Sequence, residues 1–174
     1  MASIYYVSGK GSDRHDFLIG GLGADRLRGG SGGDRFVYSG STQRTALAQS
    51  LVTSLDRIGD FSVVDGDRIQ LDYDRNLSTV DLPPQLFNAG TVQGKTLSVA
   101  VGTAYQDANP VKPGRQRLNP NAAVLFGWKN RMYLSVNDAA IPFAASQDLV
   151  VAIAGVSLTG NIPIGVLPVA NYFA

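Results

Sequence analysis

Residues 11–37 divide into three consecutive units of nine, GSDRHDFLI, GGLGADRLR and GGSGGDRFV. Position six of each is aspartate (Asp16, Asp25, Asp34), and position eight is a bulky apolar residue (Leu18, Leu27, Phe36). A nine-residue period constrains the chain more than any other feature, because each unit is too short to bury its own apolar side chain and must stack on its neighbours. Glycines at positions one, two and four suit a tight six-residue turn, since they allow positive φ and close backbone approach. The last three residues of a unit then form a short strand whose middle side chain points into the stack. Two units complete one coil, so loops 18 residues apart lie above one another. Asp16 and Asp34 should share one edge, with Asp25 on the other.

Such loops gather oxygen atoms. Calcium takes about six to eight oxygen ligands, which backbone carbonyls and one carboxylate from each of two stacked turns can supply. The candidate ligands are therefore Asp16, Asp25 and Asp34, with the loop residues Gly11, Asp13, Gly20, Leu22, Gly29 and Ser31 at positions one and three. Asp56, Asp60 and Asp67 follow the repeats and could close the end sites, or could serve as strand ends or caps. Three-residue strands bury little surface to offset the entropy of ordering glycine, so folding is expected to be coupled to ion binding.

Composition agrees with a turn-rich β protein. All fourteen acids of the 174 residues are Asp, and eleven of them lie between Asp13 and Asp81. Short Asp side chains suit turns and oxygen-ligand sites better than helix surfaces. A net charge of +1 and scattered Lys and Arg give no general attraction to nucleic acid. No apolar run approaches the roughly 18 residues of a membrane span. Without cysteine there is neither a disulfide framework nor a thiolate zinc site. MASIYYVSGKG lacks a positive n-region and does not read as a cleaved secretory signal.

Downstream, residues 42–54 read as a short helix or covering loop, and Arg68, Ile69, Gln70 and Leu71 alternate as a strand. Residues 82–90 suggest a turn or short helix, 96–110 a helix, 112–121 a loop and 122–138 a hairpin turning near Lys129 and Asn130. Residues 148–158 and 166–174 read as further buried strands. The expected architecture is mainly β: a short calcium-binding parallel β-roll (1–38), a roll-closing segment (39–81) and a β-rich C-terminal cap with one or two short helices (82–174), in one continuous unit.

GADRLRGGSGGDRFVY resembles the haemolysin-type (RTX) calcium-binding nonapeptides, and DRIGDF followed by GDRIQLD resembles the segment closing the roll of serralysin-type secreted metalloproteases. VLFGWKNRMYLSVND, FAASQDLVVAIAG and VLPVANYFA are similar to the C-terminal bluetail domain of cyanobacterial surface proteins. Together these resemblances span nearly the whole chain from residue 11. They imply a secreted or cell-surface module that leaves the cell through a type I secretion apparatus by an uncleaved C-terminal signal and folds on meeting calcium outside. Two features depart from the pattern. Ser12 and Arg14 replace glycines of the first unit, and Arg14, Arg26, Arg28 and Arg35 stand among the candidate ligands in a chain of pI ≈ 8.0. Arg26, Arg28 and Arg35 should lie on outer strand faces, balancing carboxylates or meeting a neighbouring molecule or an anionic surface polysaccharide.

No catalytic set is expected. His15 is the only histidine and cannot make a zinc site alone. Gly29-Gly30-Ser31-Gly32-Gly33 matches the G-x-S-x-G pattern literally, but the nonapeptide accounts for every glycine and no histidine follows. Phe126, Trp128 and Tyr133 could offer a sugar-stacking platform, although aromatics in strands more often fill the core. Asp138 reads as a turn residue. The alternative to an export module is a self-assembling, calcium-dependent layer, filament or matrix protein.

Overall fold

The computed structural model describes residues 4–6, 11, 15–155 and 162–174, the first three as backbone. Its strands are β1 (Ile4–Tyr6), β2 (Phe17–Ile19), β3 (Arg26–Leu27), β4 (Arg35–Ser39), β5 (Asp56–Ile58), β6 (Arg68–Asp72), β7 (Leu86–Thr91), β8 (Ala123–Trp128), β9 (Arg131–Val136), β10 (Leu149–Ile153) and β11 (Gly165–Leu167). The helices are α1 (Gln43–Leu47) and α2 (Leu97–Gln106), and a 3-10 turn covers Val169–Asn171. The protein is thus mainly β with two short helices.

The nonapeptide period sets the strand pairing. Leu18 stands opposite Phe36, and Phe36 opposite Ile69, in the parallel sheet β1-β2-β4-β6. Leu27 stands opposite Ile58, in β3 and β5 of a second sheet ordered β11-β7-β8-β9-β10-β5-β3. Odd and even units therefore fall on opposite sheets, as expected for two units per coil. The position-eight side chains meet between the sheets, where Leu18, Leu27 and Phe36 are buried with Ile58, Ile69, Val151 and Leu134. Burying each such side chain contributes about 1.5–3 kcal/mol.

The expected parallel β-roll needs correction. In the second sheet β3, β5 and β10 pair in parallel, but β10, β9 and β8 are antiparallel, β8 and β7 parallel, and β7 and β11 antiparallel. The second sheet is mixed and the roll is not closed, because a hairpin from the C-terminal section continues that sheet where further repeats would have stacked. That second sheet takes strands from all three sections of the chain.

A second apolar layer lies beyond the seven-stranded sheet, where Ala100, Val101, Ala104 and Tyr105 of α2 pack with Val124, Phe126, Tyr133 and Val150. Cover on both faces explains why every residue of β10, LVVAI, is buried. The Thr96 side chain accepts from Val99 N–H and starts α2. Lys129 and Asn130, with φ of 45° and 60°, turn the hairpin where expected.

Other expectations shift. Residues 82–90 contribute strand β7 rather than a turn or helix, because Leu86, Asn88 and Ala89 are buried between neighbouring strands. The C-terminal stretch is strand only through β11 and then turns, with Phe173 bridging Ile69. The helix expected within 42–54 is confined to α1, opened by a Thr42–Thr45 capping box.

Candidate metal centre

The position-six aspartates form two ladders. Asp16 N–H donates to Asp34 Oδ1 at 2.9 Å, and Asp34 N–H donates to Asp67 Oδ1 at 2.8 Å. On the other edge Asp25 N–H donates to Asp56 Oδ1 at 2.9 Å. Each carboxylate thus holds the backbone of the preceding coil. Asp56 and Asp67 continue the aspartate column of the repeats, although neither lies in a recognisable nonapeptide. All five are buried.

The glycines divide the work. At positions two and four, Gly21, Gly23, Gly30 and Gly32 take positive φ of 81°, 132°, 96° and 105°. At position one the reason is space: a Cβ on Gly29 would collide with Asp34 Oδ2, and one on Gly20 would stand 3.0 Å from Asp25 Oδ2. The carboxylate folds back over the first residue of its own unit, so only glycine fits. A Cβ on Gly11 would strike the Gly29 carbonyl oxygen and stand 2.8 Å from Asp16 Oδ2, which places those oxygens of two stacked loops together.

The electrostatics of these columns are unfavourable to charge. Asp34 Oδ2 is buried and accepts no hydrogen bond. Burial, with Asp67, Asp16 and Asp60 nearby, pushes the Asp34 carboxyl up to about 6, against the Asp16 N–H that favours its charged form. Burial likewise pushes Asp56 up to about 7; the Asp25 N–H opposes this and the Asp25 charge adds to it. The Tyr38 hydroxyl faces Asp56 and favours its charged form without closing a hydrogen bond of ordinary geometry. Asp67 is also raised by burial, although it accepts from Asp34 and from Ser62 N–H at 2.8 Å. Carboxyls desolvated beside one another are ready for a cation that accepts oxygen ligands.

Among the described residues, no three Asp or His side chains converge on one point in a geometry that would hold a metal. An ion held here must therefore draw on loop oxygens as well as carboxylates. The structure brings Gly11, Gly20 and Gly29 against the position-six carboxylates, whereas the Leu22 side chain is 81% exposed and the Ser31 residue is exposed at its loop. Asp13 lies outside the described residues, as do Ser12 and Arg14. Asp60 has a different partner from the ladders: its carboxylate accepts from Gly29 N–H at 3.0 Å and Gly30 N–H at 3.2 Å, clamping the third loop.

The remaining candidates are structural. His15 Nδ1 accepts from Gly33 N–H at 3.0 Å across two stacked loops. Phe126 and Tyr133 are buried in the α2 layer, and Trp128 donates to the Gly94 carbonyl, so the three offer no open stacking platform. Asp138 accepts from Ala140 N–H in a turn. Asp148 was not singled out by spacing: its carboxylate closes the loop before β10 by accepting from Asp138 and Ala144 N–H at 2.8 and 2.7 Å. No protein-family model matches the chain, and comparison with curated proteins gives no match either.

Proposed function

We propose that the chain is a calcium-binding, RTX-like module of a secreted or cell-surface protein, in which the parallel stack of β2, β3, β4, β5 and β6 acts as a short open β-roll that folds on calcium. Uncleaved C-terminal information for type I secretion and surface sorting belongs to the same reading and rests on the resemblance. The carrying observation is the pair of buried aspartate columns, Asp16–Asp34–Asp67 on one edge and Asp25–Asp56 on the other, the first containing the unsatisfied Asp34 Oδ2. Asp16, Asp25 and Asp34, with loop oxygens of Gly11, Gly20, Leu22, Gly29 and Ser31, would hold calcium, and Asp56, Asp60 and Asp67 would close the stack. The ion would supply positive charge where desolvated carboxylates gather. No catalytic role is assigned to any residue. No helix among the described residues is long and apolar enough to cross a membrane.

The test is far-ultraviolet circular dichroism of chelator-treated protein during calcium titration, with magnesium as control and Asp34→Asn alongside. Calcium alone should produce a cooperative gain of β signal. Asp34→Asn keeps an oxygen for Asp16 N–H but removes the charge, and should raise the calcium midpoint at least about tenfold. A protein that is fully folded without metal and indifferent to calcium refutes the reading.

A further inference from the structure

The outer face of the seven-stranded sheet is unevenly covered. Around β8 and β9 it lies under α2, with Phe126 and Tyr133 buried. Over β5 and β3 the same face carries Arg57 and Arg26, both exposed. Parallel register sets these two side by side, in strands about 4.8 Å apart. Arg28 stands just past the end of β3, and Arg131 enters from the start of β9. The four arginines wall a cleft of about 520 Å³ whose floor includes the small residues Gly59, Ala152 and Ala154.

Like charges in register on neighbouring strands repel, so the arrangement lacks its counter-charge. Among the described residues, none of the four guanidiniums makes an ion pair or hydrogen bond, and the cleft lining contains no acid. Asp25 and Asp56, the acids beside Arg26 and Arg57 in sequence, are buried in the aspartate columns, and Asp60 is turned to the Gly29 and Gly30 N–H groups. Expected charge balance between Arg26 or Arg28 and the roll carboxylates is therefore not what holds them. Arg28 is positioned by its bed: its side chain crosses Gly59, where a Cβ would stand 3.0 Å from Nε.

Guanidinium forks match carboxylate and sulfate groups in paired hydrogen bonds. The cleft volume falls in the range of about 300–1,000 Å³ usual for small organic ligands and exceeds the needs of a lone inorganic anion. No aromatic side chain lines it to stack a base, and the chain's net charge of +1 gives little field for a nucleic acid. Small side chains on the floor leave room for the C–H face of a sugar ring. We propose that this cleft binds an acidic glycan, with sugar-borne carboxylate or sulfate groups paired to Arg26, Arg28, Arg57 and Arg131. None of these arginines is a candidate calcium ligand, so the proposal stands apart from the calcium reading.

The test titrates the full chain, in calcium and separately in chelator, with a polyuronate oligosaccharide, a sulfated oligosaccharide, a neutral oligosaccharide of equal length, single-stranded DNA and a poly-aspartate peptide. At least one charged glycan should bind and the neutral one should not; the tighter of the two identifies the group recognised. Arg57→Gln with Arg131→Gln should weaken binding at least about tenfold, and Arg57→Lys should recover only part of the loss, because an ammonium cannot make the paired contact. Lys112→Gln, an equal loss of charge elsewhere on the surface, should leave affinity unchanged. Circular dichroism checks that each variant folds. Absence of binding to both charged glycans, indifference to the double substitution, or equal or tighter binding of DNA or peptide overturns the proposal. Glycan binding that persists when calcium has no effect on folding refutes the calcium reading alone.

Discussion

A single carboxylate decides what its glycine must be. Position one of the third unit does not need positive φ, yet Asp34 Oδ2 occupies the space a side chain would fill. Gly29→Ala should therefore destabilise the folded protein by about 1–3 kcal/mol through overpacking, as measured by urea unfolding. Gly21→Ala places a methyl in open space but at φ 81°, so its cost should come from backbone strain and be smaller, about 1–2 kcal/mol. Equal tolerance of alanine at both positions would show that Asp34 does not fold back over Gly29.

At the level of elements, strands of two to five residues gain stability only by stacking. β4 lies between β2 and β6, and its Phe36 side chain is fully buried between the sheets, 5.9 Å from Phe61 centroid to centroid. Phe36→Ala should cost about 3–5 kcal/mol, enough to consume much of the stability of a domain this size. Because β4 joins both its neighbours, chemical denaturation should remain a single transition and its midpoint should fall. A midpoint unchanged by Phe36→Ala would mean that the repeat coil contributes nothing to the cooperative core. The α2 layer is independent of this contact, since its buried side chains pack on the opposite face of the second sheet.

Across the whole molecule, the acids set the response to pH. Burial raises Asp34 to about 6, Asp56 to about 7 and Asp148 to about 6, from 3.8 in the unfolded chain. The native state therefore binds more protons than the unfolded state between these values, and stability contributed by these groups is greatest at the acid end and is lost as pH rises through the folded values. Asp72 acts in the opposite sense, because hydrogen bonds from Ser39, Asn76 and Asp74 hold its carboxyl low despite burial. With Asp34, Asp56, Asp67 and Asp148 all raised against it, chelator-treated protein should hold more β signal in far-ultraviolet circular dichroism at about pH 5 than at about pH 7.5. A β signal that instead rises steadily from about pH 5 to about pH 7.5 would contradict the burial of these carboxyls. Calcium should narrow the difference, since an ion and a proton compete for the same oxygens.

Much of the repeat region was legible from order alone. Identical spacing of Asp16, Asp25 and Asp34 with Leu18, Leu27 and Phe36 determined the two-edged stack and its inward side chains, because a nine-residue unit repeats both its turn and its strand with the same phase. The hairpin at Lys129 and Asn130 was equally local, and the apolar run of 96–110 pointed to α2, whose Thr96 cap the structure adds. Tertiary structure decided the rest. Residues 82–90 read as a turn or short helix because Pro83, Pro84 and Gly90 are local signals, whereas the strand pairing of Leu86–Thr91 depends on β8 and β11, which are distant in sequence. The mixed second sheet, the place of Asp56 and Asp67 in the aspartate columns, and the meeting of Arg26, Arg28, Arg57 and Arg131 all depend on which strand lies beside which. Periodicity specifies what one segment presents to a neighbour; the identity of that neighbour is set by the competition of all segments to bury their apolar faces, a choice made only when the whole chain packs.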